Sequence, residues 1–440
     1  MTIYQMTQAI RSGELSSYGL VSQYISKIEA NKHLCAVIEL NPDSLEIAKR
    51  LDTADVKAGA LYGVPILLKD NINTGDNMHT SAGSVALADN IAPEDAPLTS
   101  LLREAGAVIL GKTNMTEFAN YMSNTMPNGY SSRGGQTLHF YDQEADPSGS
   151  STGSAVAVAA GLCAAAVGTE TYGSIISPAQ CAGIVGIKPT AGLVNSQGVI
   201  PISFTLDTPG PMARCVEDAG LLLGVLAGKP IEQSRETRLT GVRIGISRMI
   251  LEDNDPEWIG ANERLINVMR ELGADCVEMP EYSIDTGFIY TIMRHEFKFA
   301  INNYLQSAHS SRLPKTLQEI IEYNERHSDI ALKYGQDILV RDNASAGTMD
   351  PEYLDALKTR DAAMQMLDKL FDRNSIDVLF MLTANISLAA ATGFPSMTIP
   401  LGKTSKGLPI GSFFVARRYK EDALLKTTSA VESALRVHTV

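Results

Sequence analysis

The 440-residue sequence lacks a hydrophobic run long enough to cross a bilayer. Its longest, Ala155 to Val167, is Ala-rich and falls well short of the ~20 residues that a spanning helix needs. That run reads as a buried helix. No basic amphipathic segment is present either, so no membrane partner is expected. Positive charge is in deficit: 37 Lys and Arg against 50 Asp and Glu leave a net charge of −13, which argues against a nucleic-acid surface. Cysteine is sparse, and the five residues (Cys35, Cys163, Cys181, Cys215, Cys276) are odd in number. They lack metal-ligand spacing, a pattern that fits free thiols in a reducing compartment rather than a disulfide framework. His79 and His139 have no ligand partners at metal spacing, and neither a metal nor a cofactor is expected. The polar opening, MTIYQMTQAIRSGELSS, has no apolar h-region, which predicts no signal peptide and a cytoplasmic location. Pro/Gly/Ser tracts, charge blocks and internal repeats are missing too. A length that would suit two or three domains therefore reads as one large domain.

What is present alternates. The first sixty residues read as helical, with Ser17 a candidate cap for an apolar face of Leu20, Val21, Tyr24, Ile25 and Ile28. Short buried strands are expected at Gly63–Asp70, Ala107–Leu110, Ala164–Val167, Ile184–Pro189, Val242–Ile246, Val378–Leu382 and Ser396–Pro400. Helices are expected at Thr99–Ala105, Ala155–Leu162 and Val216–Ala227, and over most of Glu257–Arg373. Alternating helices and short apolar strands define an α/β fold: a single large domain with a central mixed, twisted β-sheet covered by helices. It divides into an N-terminal helical segment (1–60), a core (61–230) and a C-terminal part that completes the sheet (231–440).

Two motifs are formal matches only. Gly106 to Thr113 fits G-x-x-x-x-G-K-T, but its Ala-Val-Ile-Leu interior reads as strand, whereas a phosphate loop follows a strand and opens a helix. Gly149-Ser150-Ser151-Thr152-Gly153 fits G-x-S-x-G, yet Glu144 to Ser148 before it do not read as the strand that a nucleophile elbow requires. His295, His309, His327 and His438 fall on apparently helical or terminal segments and read as surface residues.

The informative segments are two small-residue stretches around the Ala-rich helix, Ser148 to Ser154 and Gly168 to Ile175. Small residues let backbone amides and hydroxyls approach a ligand closely. Several N–H groups beside a serine hydroxyl are what acyl transfer uses. Read alone, each segment fits a polar turn equally well, and Lys69 fits a lysine paired with Asp70 at a strand end.

Taken together and in order, Gly63-Val-Pro-Ile-Leu-Leu-Lys69-Asp70-Asn71-Ile72, Gly111-Lys-Thr-Asn114, Gly149 to Ser154, Gly168-Thr-Glu-Thr-Tyr-Gly-Ser174-Ile175 and Gly186-Ile-Lys-Pro-Thr190 resemble the amidase signature family. The likeness continues through Gly393 to Ser396 and Gly407 to Gly411 and covers nearly the whole chain. Lys69 to Asn73, Thr80 to Ser84, Ser132 to Thr137 and Gly168 to Thr171 are most similar to bacterial peptide amidases, which remove a C-terminal amide from peptides. The resemblance implies a Ser-Ser-Lys triad of Ser174 as nucleophile, Ser150 as proton relay after a cis peptide bond, and Lys69 as base. It implies an oxyanion hole from the N–H groups of Thr171, Tyr172, Gly173 and Ser174, and substrate contacts from Asn120, Tyr121 and Ser151. The chemistry is coherent, since a serine needs a base and burial can lower a lysine pKa by up to roughly 3–5 units.

Two departures from the family stand out. Tyr172 replaces a small or acidic residue, and Ile176 an Arg. A short connection from Val378–Leu382 through Thr383-Ala384-Asn385 replaces a longer covering loop, which predicts an open cleft and a bulky or carrier-linked substrate. The expected reaction is hydrolysis of a linear carboxamide, small-molecule or peptide. The alternatives are transfer of the acyl group to an amine, or an amidotransferase-type role within a complex. Oligomeric state is left open.

Overall fold

In the computed structural model, which describes residues 1–232, 236–249, 255–306 and 313–435, every run read as a strand joins one sheet. The strands are β1 (Val37–Leu40), β2 (Pro65–Lys69), β3 (Val108–Thr113), β4 (Tyr130–Ser131), β5 (Gly135–Gln136), β6 (Ala165–Glu170), β7 (Val185–Lys188), β8 (Thr208–Ala213), β9 (Arg243–Ser247), β10 (Asp275–Glu278), β11 (Val378–Met381), β12 (Ser396–Thr398), β13 (Pro400–Lys403), β14 (Pro409–Gly411) and β15 (Phe414–Ala416). Eleven form the central sheet, in the order β1-β3-β2-β6-β8-β7-β12-β15-β11-β9-β10. The sheet is mixed: β3, β2 and β6 run parallel, as do β11, β9 and β10, while β8, β7, β12 and β15 pair antiparallel. Strands from all three parts of the chain share this sheet, so the divisions at residues 60 and 230 are segments of one folding unit.

β2 and β3 are buried along their whole length. A strand covered on both faces reads as a continuous apolar run, and each buried Leu or Ile contributes about 1.5–3 kcal/mol. The strands that periodicity did not mark have identifiable reasons. β10 lies at the sheet edge and is half-exposed, with Asp275 and Glu278 at its ends, as edges that resist further pairing commonly are. β8 carries Pro209 and Pro211, residues normally kept from sheet interiors. They are accommodated because its pairing with β7 is confined to Met212 and Ala213. β1 interrupts the N-terminal helices, and β15 lies between β12 and β11.

The first helix boundary shifts by one residue. Ser16, not Ser17, caps the Ser17–Ala30 helix, its Oγ accepting from Gly19 N–H at 3.0 Å. Ser17 instead donates to Gly63 O at 2.9 Å and ties that helix to the approach of β2. The expected helical stretch after Glu257 is interrupted by β10 and includes the long helices Phe288–Gln306 and Pro351–Asn374. Those two, with shorter neighbours, enclose a second apolar cluster beside the sheet. The Ala-rich helix spans Thr152–Ala159, and all eight of its residues are buried.

Candidate active site

β2 ends by delivering Lys69 into the interior, where it is fully buried. An ammonium there needs a partner for each of its protons. Nζ donates to Ser150 Oγ at 2.8 Å, Ser151 Oγ at 2.9 Å, Thr169 Oγ1 at 3.0 Å and Thr169 O at 3.1 Å. Asp70 is not its partner. Successive side chains on a strand point to opposite faces, and Asp70 meets Arg133, Ser81 and the Gly83 N–H. Burial pushes the Lys69 pKa down to about 7, against the opposing pull of Asp207 and Glu170. Two further lysines are as deeply buried, and burial lowers each to about 8. Lys112 donates to Ile72 O and Thr80 Oγ1, and Lys188 to Pro189 O. Lys69 alone of the three donates to serine hydroxyls. Lys112 and Thr113 close strand β3 rather than open a helix, which disposes of the phosphate-loop match.

Gly149–Ser150 is a cis peptide. Ser150 O accepts from Thr116 N–H at 3.1 Å, and Ser151 N–H donates to Ser174 O at 3.1 Å, so a backbone hydrogen bond joins the two serine segments. The helix that follows sits tightly against its neighbours: a Cβ on Gly153 would lie 2.3 Å from Asn114 O and 2.4 Å from Ala36 O.

The second segment forms a loop clasped at both ends. At one end, Glu170 Oε2 accepts from Ile175 and Ile176 N–H at 2.8 and 3.0 Å. At the other, Thr171 Oγ1 donates to Asp207 Oδ1 at 2.5 Å. Between them, the N–H groups of Tyr172, Gly173 and Ser174 donate to no protein acceptor among the described residues. Ser174 is 6 % exposed. Gly173 has φ +80°, and a Cβ there would lie 3.0 Å from Ser177 Oγ and 3.1 Å from Ile386 Cγ2. A left-handed conformation costs an ordinary residue about 1–2 kcal/mol, so Gly173→Ala is expected to distort the loop. Initial rates of amide hydrolysis are expected to fall about 10²–10³-fold, the usual consequence of losing one oxyanion donor. The far-UV spectrum is expected to be unchanged.

The remaining expected residues separate. Ser151 is fully buried and committed to the lysine: besides its contact with Nζ, its Oγ donates to Thr169 O at 3.1 Å and accepts from Thr169 N–H at 3.2 Å. Tyr121 is buried, packs edge-on to Phe297 at 5.1 Å and lies 3.3 Å from Arg341. Asn120 is exposed, with φ +66°, in the turn after Thr116. Nor does the short Thr383–Asn385 connection leave the loop uncovered. Ile386 packs against Gly173, and Tyr290, from the Phe288–Gln306 helix, sets its ring edge-on to Tyr172 at 5.8 Å. Sequence reasoning missed Thr169, Glu170 and Asp207 as partners of the site. The first two lie within a quoted motif, whereas Asp207 precedes the proline-bearing strand β8 and gave no signal.

His295 is 3 % exposed, not a surface residue, and its Nδ1 faces Gly347 O at 3.1 Å. His327 is exposed, and His309 and His438 lie outside the described residues. Among the described residues, one group, His295, Asp350 and Glu352, brings candidate metal-ligand atoms within 4.8 Å of one another. Asp350 there already caps the Pro351–Asn374 helix, and the lysine–serine cluster contains none of the three. No described helix is long and apolar enough to cross a membrane.

A mixed α/β sheet that presents a buried lysine, two serine turns and a clasped loop of free N–H groups has the parts of an acyl-transfer enzyme. Comparison with known proteins narrows the class. The Amidase family model matches residues 19–425. A probable amidase of Arabidopsis thaliana is 35% identical over 462 aligned positions, covering 98% of this chain and 90% of that one. The amidase-like component of the glutamyl-tRNA(Gln) amidotransferase of Koribacter versatilis is 31% identical, covering 99% and 98%. The crystal structure of the peptide amidase from Stenotrophomonas maltophilia superimposes with a TM-score of 0.90 at 37% identity, covering 100% of this chain and 97% of that one. The chain belongs to the Amidase family and is an amide-hydrolysing enzyme.

Proposed function

We propose that the enzyme cleaves the C–N bond of a linear carboxamide, of the peptide-amide kind, through an ester on Ser174. The observation that carries this reading is the fully buried Lys69 amine, 2.8 Å from Ser150 Oγ, with its pKa lowered to about 7. In the neutral amine this contact runs in reverse, with Ser150 donating to Nζ. Ser174 Oγ attacks the carbonyl carbon and gives its proton to Ser150 as Ser150 gives its own to Lys69. The N–H groups of Thr171 to Ser174 receive the negative charge that develops on the carbonyl oxygen, a role for which preorganised donors are well suited. Collapse of the adduct breaks the C–N bond, and the proton returns from Lys69 through Ser150 to the leaving nitrogen. Water then attacks the ester along the same path and releases the acid.

The peptide-amide preference rests on the 37%-identical peptide amidase. Ammonia release from a panel of peptide, fatty and aryl amides and glutamine tests it. Silence on peptide amides with turnover of another class would overturn the substrate assignment. Kinship with the tRNA-dependent amidotransferase favours one other outcome, capture of the ester by an amine, which competition between added amine and water reads directly.

The base must be neutral to act. We therefore expect kcat/KM to rise with pH and level off above about 7 as Lys69 loses its proton. A flat profile between pH 5 and 8 would count against Lys69 as base.

A further inference from the structure

Thr171 and Tyr172 open the loop that the proposed mechanism uses, and both are tied to the Phe288–Gln306 helix. Tyr290 on that helix packs against Tyr172 directly. Thr171 is reached through two carboxylates in series. Glu296, fully buried on the same helix, accepts from Ser203 Oγ, from Thr205 Oγ1 and N–H (the latter at 3.1 Å), and from Tyr353 OH at 2.7 Å. The loop that it holds donates the Ile202 and Ser203 N–H groups to Asp207 Oδ2 at 2.8 and 3.1 Å. Asp207 Oδ1 then accepts from Thr171 Oγ1.

We propose that Asp207 is a positioning residue for amide cleavage: it holds the Thr171 end of the oxyanion loop and directs a negative charge toward Lys69. The inference rests on the Ser174–Ser150–Lys69 reading above. Three hydrogen bonds use both carboxylate oxygens, so a neutral amide cannot replace the group, because its NH₂ would face a donor. Glu170 clasps the far end of the loop at Ile175 and Ile176, so the free N–H groups are strung between two acidic anchors. Oxyanion donors work when they sit within about 2.7–3.1 Å of the developing charge. A loop loose at one end gives that up.

The charge has a separate consequence. The groups facing Lys69 are Asp207 and Glu170, both negative, and both favour its ammonium form. Lys188 lies on the far side of Glu170, and Glu296 lies beyond Asp207. Burial and Glu296 raise the Asp207 carboxyl to about 6, against its three hydrogen bonds. It is therefore ionised where Lys69 titrates. Removing its charge makes the ammonium less favourable, so Lys69 stays neutral to lower pH.

The test follows the rate at which a fluorophosphonate labels Ser174 between pH 5 and 9, which needs no knowledge of the substrate. Asp207→Asn is expected to slow labelling about 10- to 100-fold at pH 8 and to move the acid limb of the profile about 1 unit lower. Thr171→Val keeps the charge and removes the hydroxyl donor. It is expected to slow labelling with the limb unmoved, and it tests the anchor even where Asp207→Asn fails to fold, as judged by its melting curve. Wild-type rates in either folded variant, or a slowed Asp207→Asn with an unmoved limb, overturn the proposal. Failure of the wild type to be labelled at Ser174 would overturn the catalytic reading beneath it, and this inference with it.

Discussion

Ser174→Ala is expected to lower kcat/KM for amide hydrolysis about 10⁴- to 10⁶-fold, as loss of a nucleophile that acts as part of a unit generally does. The loss is expected in kcat, because the loop N–H groups that receive the carbonyl oxygen belong to the backbone and survive the substitution. Stability is expected to stay within about 0.5 kcal/mol. Ser174 is tied into the structure through its carbonyl, which accepts from Ser151 N–H, and alanine keeps that bond. Ammonia release and phosphonate labelling check the same variant independently. Retention of more than about 1% of wild-type turnover would mean that another group performs the attack.

Lys69→Met separates activity from stability in the opposite sense. Removal of a general base typically costs about 10²–10⁴ in rate, and here the acid limb near pH 7 is expected to vanish with it. The fold is expected to be as stable or more so, because a buried amine is exchanged for an apolar side chain of similar length. The hydroxyls left behind are not all orphaned: Ser151 Oγ keeps both its bonds to Thr169. Thermal unfolding beside the pH–rate profile checks both halves. Lys69→Arg is expected to be as inactive as the Met variant, since a guanidinium does not give up its proton in this pH range. An active Arg variant would rule out a neutral base at this position.

The strands nearest the site were legible because they are buried on both faces. β2, β3 and β6 read as unbroken apolar or small-residue runs, and no other element gives that pattern at such short length. Lys69 was visible as the charge that ends such a run. Its partners were not, because Ser150, Thr169 and Asp207 come from three separate segments, and only the sheet order brings them together. Ser151 shows the limit most clearly. As one half of a Ser-Ser pair it reads as a substrate contact, yet helix geometry turns its hydroxyl inward to Lys69. Asp207 was hidden for a different reason: prolines at 209 and 211 contradict a central strand by pattern alone, so nothing marked the residue before it as fixed.

The Thr152–Ala159 helix is enclosed on every side, and even a methyl group on Gly153 would strike two backbone carbonyls. This leaves the reacting serines on a support with no room for drift. Heritable variation in what the enzyme accepts is therefore confined to its margin, where Tyr172 is 40 % and Tyr290 57 % exposed and Ile386 leans on the loop. A mutant library aimed at new amides belongs at those three positions. One spread over the Ala-rich helix would spend its diversity on chains that do not fold.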